Sequence, residues 1–378
     1  MLYEILEDLC VIGAFKPRRN TGITFIYPSK ETISKLDKIK KEVFMPLSCP
    51  KCSNVMKNRL DKPNYKIHKM CFDCVINIES ELKQIIIKDS MSNKYIFGLN
   101  GCDTIVSKNK IWESLVKCFG RKDASKLMPE SYILDDPDEM DYFAKTFNPQ
   151  ENAIYILKKN VQRKEGLKLT RDYNEIIKGA KDNYRVVQKY ITDLYLINQR
   201  KINLRIYLLI VIKDNTVNFY LCRKGKCIYT NKKYNDNDLD FESNITSYHL
   251  DMDVYNKNPR NFDELREYID NESGKNKGDY LFNKIELLMK KISLCLSKNL
   301  YQSKNIKGTV SFQLFGTDVI FDSKLNPFLL EMNKGPDMTP RDRTDEEMKN
   351  LVQTDMFRTV GILGGGGSGE ENSFYKIY

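Results

Sequence analysis

The sequence predicts an α+β fold with a small zinc-ribbon module near its N-terminus. Two apolar β runs, residues 204–212 and 217–221, flank a four-residue polar gap, which is typical of a β-hairpin. A helix is predicted over residues 279–298, where apolar side chains recur at helical spacing. Two Cys-x-x-Cys pairs upstream have the spacing of a zinc ribbon. A chain of 378 residues is long enough to bury a large core around these elements.

Changes in composition divide the chain into five segments. Residues 1–44 hold a short β run and a charged helical stretch, which predicts a small αβ element. The cysteine-rich module spans residues 45–90, and ordinary globular composition follows it. We expect an N-terminal subdomain at 91–150, the main body at 151–363 and a Gly-rich flexible tail at 364–378.

The other elements follow from apolar runs and turn signals. Residues 103–130 alternate basic and apolar side chains and end at a proline, which indicates helix. Residues 231–275 are polar and rich in Asn and Asp, so we expect long surface loops there. Thr344 and Glu347 form a capping box that opens a helix. Further strands are expected at 131–134, 153–158, 185–191 and within 309–333, and a further helix near 173–182.

Several function classes are excluded by composition. The longest apolar run has seven residues, against the ~18 that a membrane span needs. The N-terminus carries acids where a secretory signal carries bases, so we expect a cytoplasmic location, which means the host cytoplasm for a viral source. His68 and His249 are the only two histidines, which disfavours a serine or cysteine hydrolase triad and excludes a multi-histidine metal centre. Catalysis must therefore rest on carboxylates, amides and cations.

The charge of the chain favours an anionic partner. The formal net charge is +10, and residues 1–95 hold 17 Lys/Arg against 11 Asp/Glu. Such a balance fits nucleic acid, an acidic protein segment or a nucleotide. A solvated basic surface without a partner is the alternative.

Four cysteines in the N-terminal module are predicted to hold a structural Zn²⁺. Each Cys-x-x-Cys turn places two thiolates on one metal, and four thiolates complete a closed tetrahedron with no position for water. The alternatives are His68 as a substitute ligand, a redox pair, or unrelated thiols. The predicted ligands are Cys49, Cys52, Cys71 and Cys74.

The same module is basic and carries aromatic side chains, which makes nucleic acid or protein its expected partner. The amino-acid sequence of the module resembles those of small zinc-ribbon proteins of bacteriophages and large viruses. The remaining six cysteines lie in apolar surroundings, and we expect them to be reduced core residues: Cys10, Cys102, Cys118, Cys222, Cys227 and Cys295.

A second hairpin is predicted within residues 309–333, and it carries the side chains that we expect to bind a metal ion. Its turn is centred near residue 324, so Asp318 is expected opposite Glu331, with Asn333 on the same face. Two opposed carboxylates repel each other unless a cation lies between them. Asp, Glu and Asn oxygens suit Mg²⁺, which typically uses one or two carboxylates together with nucleotide phosphates. The alternative pairs Asp318 with a lysine and leaves Glu331 solvated.

The hairpin motif, Phe312-Gln-Leu-Phe-Gly-Thr-Asp318 followed by Leu-Glu331-Met-Asn333, resembles the magnesium-binding strands of the tubulin tyrosine ligase and ligase-like family. This family is a branch of the ATP-grasp superfamily, in which mixed sheets clasp ATP. The likeness covers roughly residues 95–360. It implies a ligase-like subdomain at 91–150 and the ATP-grasp central and C-terminal domains at 151–363.

The resemblance also implies roles for residues upstream of the hairpin. Lys158 ends a strand similar to the one that carries the ATP-phosphate lysine, and Arg163 lies in a loop that resembles the phosphate-covering loop. Residues 188–191 resemble the adenine-binding strand. Residues 200–205 resemble the family's Arg-Lys-Phe-Asp-Ile-Arg, with Asn203 where the family has Asp. Thr246-Ser247 likewise stands in place of Thr-Asn. The implied nucleotide-binding set is Lys158, Arg163, Gln188, Lys189, Ile191 and Asn203, and the implied catalytic set is Arg205, Arg223 and Glu331.

The resemblance implies a ligase that uses ATP and Mg²⁺ to activate a carboxylate as an acyl phosphate. It then joins a free amino acid to a protein acceptor by an amide bond. An acidic acceptor tail, with tubulin as one candidate, fits the positive net charge. Two alternatives remain: a nucleic-acid or protein-binding module with an inactive ligase-like half, and an ATP-grasp kinase acting on a small molecule.

Overall fold

The computed structural model describes residues 95–160, 166–246, 250–301, 310–338, 340–361 and 371–378. Within these residues the chain forms two β-sheets with helices packed on them, which confirms the α+β prediction. The αβ element predicted at 1–44 and the four predicted zinc ligands, Cys49, Cys52, Cys71 and Cys74, lie outside the described residues, so both stay predictions.

The larger sheet has seven strands and is built around the predicted long hairpin. β7 (Arg200–Lys213) and β8 (Thr216–Tyr229) pair antiparallel across its turn. β9 (Val310–Phe321) pairs with the other edge of β7, and β10 (Pro327–Lys334) folds back onto β9. Three short strands complete the sheet: β1 (Tyr95–Phe97) beside β9, β6 (Leu196–Ile197) beside β7, and β11 (Phe374–Lys376) beside β8.

Helices cover one face of this sheet and form the main core with it. Side chains alternate along β7, so Ile206 and Leu208 point into the core while Arg205 and Tyr207 point to the opposite face. The core side is packed by the apolar faces of α7 (Phe262–Ser273) and α8 (Lys277–Leu296). Nearer the N-terminus lie α1 (Cys102–Val106), α2 (Lys108–Phe119) and α3 (Arg121–Ala124).

The smaller sheet has four antiparallel strands in the order β2-β5-β3-β4. Phe143 of α4 (Pro137–Thr146) and Ile176 of α5 (Tyr173–Lys178) are completely buried against one face of it. The strands are β2 (Ser131–Ile133), β3 (Tyr155–Lys158), β4 (Leu167–Thr170) and β5 (Val186–Lys189).

The polar stretch at 231–275 is not all loop, as the sequence prediction had it. It holds the short helix α6 (Phe241–Asn244) and the three-turn helix α7. The Asn261 side chain caps α7 by accepting hydrogen bonds from the backbone N–H groups of Asp263 and Glu264. Phe262, Leu265 and Ile269 are buried and form the narrow apolar face of α7. The charged residues between them obscure the helical spacing in the sequence.

The C-terminal predictions also need correction. The last long helix, α9 (Arg343–Thr359), is capped by Asp342 rather than by Thr344, because the Asp342 carboxylate accepts the Asp345 N–H at 2.8 Å. The end of the predicted flexible tail forms β11, which pairs with β8 and buries Phe374. Its apolar side chains complete the sheet edge, so residues 371–378 are part of the fold.

Two of the cysteines expected to be reduced form a disulfide. Cys118 of α2 and Cys295 of α8 are bonded, which ties the two helices together. Cys295 lies in the apolar core, and Cys118 is half-buried against it. No local sequence pattern indicates that two cysteines 177 positions apart would meet. Cys102, Cys222 and Cys227 are free and buried, as predicted.

Across the parts of the chain that the structure describes, no helix is both long and apolar enough to cross a lipid bilayer.

Candidate active site

The β9–β10 hairpin places its two carboxylates opposite each other, as the turn position predicted. Glu331 is the register partner of Asp318. This pairing depends on an irregularity between Leu329 and Glu331, which inserts one extra residue into β10. A regular hairpin would instead place Leu330 opposite Asp318. The bulge therefore directs a carboxylate, rather than a leucine, into the site.

Arg205 is the next residue in the same row across the sheet. It pairs with Asp318 in register and donates two hydrogen bonds to its carboxylate, from Nε at 2.6 Å and from Nη2 at 3.1 Å. A Cβ on Gly316 would lie 3.1 Å from Cδ of Arg205, so the glycine leaves room for the guanidinium. Burial raises the pKa of Asp318, and the Arg205 ion pair offsets this in part.

Glu331 lies among cations and stays ionised. Its carboxylate is 3.5 Å from Nζ of Lys108 and accepts a 2.9 Å hydrogen bond from the Asn333 amide. Burial alone would raise its pKa, but Lys108, the Asn333 amide and Lys158 together lower the pKa of Glu331 to about 2. Neither carboxylate is simply solvated, and each is paired with a different cation.

Lys108 was not predicted from the sequence. It begins α2, more than 200 residues before the hairpin, and it is buried against Glu331. No local pattern marks it, because α2 is a surface-type amphipathic helix in sequence. It reaches the site because α1 packs on β10 and α2 begins one residue after α1 ends, beyond Ser107.

Lys158 enters the site from the smaller sheet. It ends β3, is almost fully buried and donates a 2.7 Å hydrogen bond to Oε1 of Gln188 on β5. The Gln188 amide is held in turn by Pro129 O and Ser131 Oγ. Burial lowers the pKa of Lys158 to about 8, although the charge of Glu331 raises it. Two predicted nucleotide-binding residues therefore lie together.

Lys201 is a second buried lysine in this region and was also missed. Its Nζ donates to Tyr190 OH and to Asn244 O, both at 2.9 Å. Burial, and then the charge of Lys158, lower the pKa of Lys201 to about 7. Lys201 shares a strand face with Asn203 and Arg205, so alternation along β7 could have identified it.

Asn203, which replaces the family's Asp, keeps one unsatisfied atom. Its Nδ2 donates to Thr246 Oγ1 at 3.0 Å, while its Oδ1 is buried without a hydrogen-bond partner. A buried acceptor of this kind normally finds a donor, from the protein, water or a ligand. A hydroxyl group of a bound nucleotide sugar is such a donor.

These residues fit a nucleoside triphosphate with Mg²⁺. Lys158 and Lys201 are buried lysines whose hydrogen-bond partners are neutral. Glu331 and Asp318 compensate the charge of Lys158 only in part, and no carboxylate of the described residues is among the groups that shift the pKa of Lys201. Such charges favour an anionic ligand. Asp318, Glu331 and Asn333 would supply the oxygen ligands that Mg²⁺ prefers. Among the described residues, no group of three or more His, Cys, Asp or Glu side chains could hold a metal ion by itself.

Other predicted site residues do not meet the hairpin carboxylates in this structure. The Lys189 side chain is half-exposed and pairs with Glu151. Arg223 stacks on the Tyr375 ring, whose hydroxyl donates to Glu286 of α8, so it lies on the helix side of the sheet. Ile191 follows β5 and is half-buried, and Arg163 lies outside the described residues. The roles assigned to these four residues stay predictions.

The buried charge of Lys201 gives a stability prediction. Its folded pKa of about 7 lies below the unfolded value of 10.5, so between these pH values only the unfolded chain binds the proton. Its contribution to the free energy of unfolding therefore rises from pH 7 to pH 10. We expect Lys201→Met to raise the free energy of unfolding at pH 6 by about 1 kcal/mol or more, and by less at pH 9.

Urea unfolding at both pH values measures this effect, with Lys213→Met, at the exposed end of the same strand, as the matched control. Tyr190 OH still donates to Asn244 O in the variant, so the substitution leaves that hydroxyl with a partner. A Lys201→Met variant that is less stable than the wild type at pH 6 would contradict the assignment of a buried, unneutralised charge.

Comparisons with known proteins show which family and which relatives this chain is similar to. The model of the tubulin-tyrosine ligase family matches residues 87–365. The probable tubulin polyglutamylase TTLL9 of Rattus norvegicus is 27% identical over 187 residues, 48% of this chain and 39% of that protein. The probable beta-tubulin polyglutamylase of Tetrahymena thermophila is 26% identical over 285 residues, 68% of this chain and 23% of that protein.

The tubulin monoglutamylase TTLL4 of Mus musculus is 24% identical over 334 residues, 82% of this chain and 27% of that protein. The chain thus spans less than two fifths of the length of each of these three relatives. Because the family model covers well over half of its residues, the chain belongs to the tubulin-tyrosine ligase family.

Proposed function

We propose that this protein is an ATP-dependent ligase that joins an amino acid to a protein acceptor by an amide bond. The proposal rests on one observation: two buried lysines and two paired carboxylates lie at one site. The buried cations Lys158 and Lys201 come from two different sheets, and the paired carboxylates Asp318 and Glu331 face the same region. Membership of the tubulin-tyrosine ligase family supports it.

In the proposed reaction an acceptor carboxylate attacks the γ-phosphorus of ATP and forms an acyl phosphate and ADP. The amine of the incoming amino acid then attacks the acyl carbon, phosphate leaves, and the amine loses a proton. Mg²⁺, held by Asp318, Glu331 and Asn333, would supply charge neutralisation on the phosphates. Lys158 and Lys201 would bind phosphate oxygens, and the orphan Oδ1 of Asn203 would accept from the nucleotide sugar.

The proposal assigns Arg205 to the reacting groups. Arg205 lies on β7, next to β9, and its guanidinium group donates two hydrogen bonds to Asp318. Both side chains lie on the sheet face opposite the helices. Guanidinium geometry matches both carboxylate and phosphoryl oxygens. A bound cation on Asp318 would compete for the same carboxylate, and Arg205 could then turn to an acceptor carboxylate or to the transferred phosphoryl group.

Glutamate is the donor that the relatives favour, and an acidic segment of tubulin is the favoured acceptor. The similar proteins are named as polyglutamylases or monoglutamylases of tubulin. The net charge of +10 suits an acidic acceptor. The cytoplasmic location expected from the sequence belongs to the same proposal.

The test is ATP-dependent transfer of labelled amino acids to purified tubulin and to a cell lysate, read by intact-protein and peptide mass. Each amino acid is supplied in turn, and the same reactions without ATP are the control. We expect a mass increase for glutamate on an acidic peptide. ADP release without any amide product would favour a small-molecule kinase instead.

The zinc ribbon is a separate part of the proposal. Metal analysis of the full chain should find about one zinc per chain, because four thiolates complete one tetrahedral site. Cys49→Ser together with Cys52→Ser should remove it, while Cys222→Ser, a buried free cysteine, should not. A wild-type protein without zinc would contradict the ribbon. Binding of nucleic acid by this module would show as affinity that falls steeply with salt.

A further inference from the structure

The outer face of α8 has an unusual regularity that the core does not require. Three large apolar side chains project from it at intervals of seven residues, with exposed fractions of 44%, 59% and 49%: Tyr280, Leu287 and Leu294. We call these three residues the apolar stripe. Beside it, also seven residues apart, runs a row of cations that we call the lysine row: Lys277, Lys284 and Lys291 of α8, and Lys298 in the 3-10 turn that directly follows it.

The apolar stripe lies on the side of α8 away from the sheet. The inner side of the helix is buried in the main core through residues such as Leu281, Ile285 and Leu288. The stripe adds nothing to that core, and exposed leucines and tyrosines of this size are costly to leave in water when they are aligned. The face is therefore suited to contact with another molecule.

The charge of this face is positive. The acids of α8 near it are already paired, Asp279 with Arg266 and Glu286 with Lys290. Lys284 contacts the turn of the β9–β10 hairpin through Asn326 and also lies over the Tyr280 ring. Asp123 of α3 is the acid that acts on Lys291, and it is already paired with Lys126 at 2.7 Å. A partner that approaches the stripe therefore meets a lysine row with an excess of positive charge.

We propose that the apolar stripe and the lysine row form a docking surface for an acidic amphipathic helix of a partner protein. Helices that pack along one another repeat apolar side chains at two positions of every seven residues. The apolar stripe supplies one of these two positions, and the aliphatic stems of the lysine row lie beside it. A lysine row flanking that seam selects acidic residues on the partner. A second copy of the same face would place lysines against lysines, so charge disfavours self-association through it.

The surface is separate from the candidate active site. α8 packs on the core face of the larger sheet, whereas Arg205 and Asp318 lie on the opposite face. A helix bound to α8 would leave the nucleotide region open. The inference goes beyond the proposed ligase activity, and either one can fail without the other.

The test uses the full chain and a synthetic helical peptide of three heptads, with leucines at the seam and glutamates beside them. Fluorescence anisotropy should detect binding that weakens with salt. We expect Leu287→Glu with Leu294→Glu to weaken it about tenfold or more. The control is Ile177→Glu, an exposed apolar residue on α5, which should leave binding unchanged.

Charge reversal separates a specific surface from general stickiness. Lys291→Glu with Lys298→Glu should weaken binding of the glutamate peptide and restore binding of a matched peptide with lysines. No binding by the wild type, or equal binding by all variants, would overturn the proposal. A lower mass for the stripe variant in sedimentation would show a second copy as the occupant. Carboxyl–amine cross-links from Lys291 to Glu4, Glu7 or Asp8 would show the chain's own N-terminal segment there. Both results would also overturn it.

Discussion

Replacing Glu331 by Gln should lower ATP-dependent amino-acid transfer by about 100-fold or more. The substitution keeps the size of the side chain and its contact with the Asn333 amide, but removes a charge that is ionised above a pH of about 2. A magnesium site with one carboxylate fewer neutralises phosphate charge less well. Single-turnover transfer of labelled glutamate, with the rate compared at saturating ATP, measures the loss.

The fold must be shown to survive this substitution. Lys108 and Lys158 lose the nearby negative charge, which should lower the free energy of unfolding as well. Thermal melts and circular dichroism therefore accompany the rate measurement. Glu267→Gln, on the exposed side of α7, is the matched control and should keep full activity. A folded Glu331→Gln variant with wild-type transfer would remove Glu331 from the catalytic set.

The hairpin could be predicted because its information is local. The turn determines the register of β9 and β10 to within one residue, so Asp318 and Glu331 could be expected close together across the hairpin from sequence alone. The bulge after Leu329 could not be seen in the sequence, although the pairing depends on it. Counting residues from the turn without the bulge places Leu330, rather than Glu331, opposite Asp318.

The other half of the site could not be predicted in the same way. Lys108 reaches Glu331 because α1, the helix just before it, packs on β10, and no sequence pattern indicates that contact. Arg205 was expected to be available for substrate, yet its partner here is Asp318. The buried state of Lys201 depends on Tyr190 and Asn244, which come from other elements. These three contacts form only through tertiary packing, so local sequence patterns could not predict them.

α7 was not predicted because its buried apolar face is narrow, whereas both ends of α8 were predicted to within two residues. α8 buries apolar side chains on most of its turns, so the helical period is visible. α7 buries three, and its remaining positions are charged or polar. In a segment so rich in Asn and Asp the turn signal dominates, and only the N-cap at Asn261 distinguishes helix from loop.

Mg-ATP should raise the melting temperature of the wild type strongly at pH 7 and weakly at pH 9, and Lys158→Met should abolish most of the rise at both. A ligand that binds only the folded state stabilises it in proportion to its affinity. With the folded pKa of Lys158 at about 8 and that of Lys201 at about 7, both ammonium groups lose protons across this range when no ligand is bound. Binding of phosphate at pH 9 must therefore take up protons, which lowers the affinity.

The sign of this effect separates ligand binding from intrinsic stability. Depressed lysine pKa values make the ligand-free protein more stable as pH rises from 7 to 10, whereas they make the gain from Mg-ATP smaller. The difference between melts with and without Mg-ATP at each pH isolates the second effect. Lys168→Met, on the neighbouring strand β4 where the lysine is half-exposed and paired with Glu175, should keep the wild-type response. A melting-temperature rise in Lys158→Met equal to that of the wild type would place the phosphates elsewhere. A wild-type rise that grows with pH would contradict the two buried lysines as phosphate ligands.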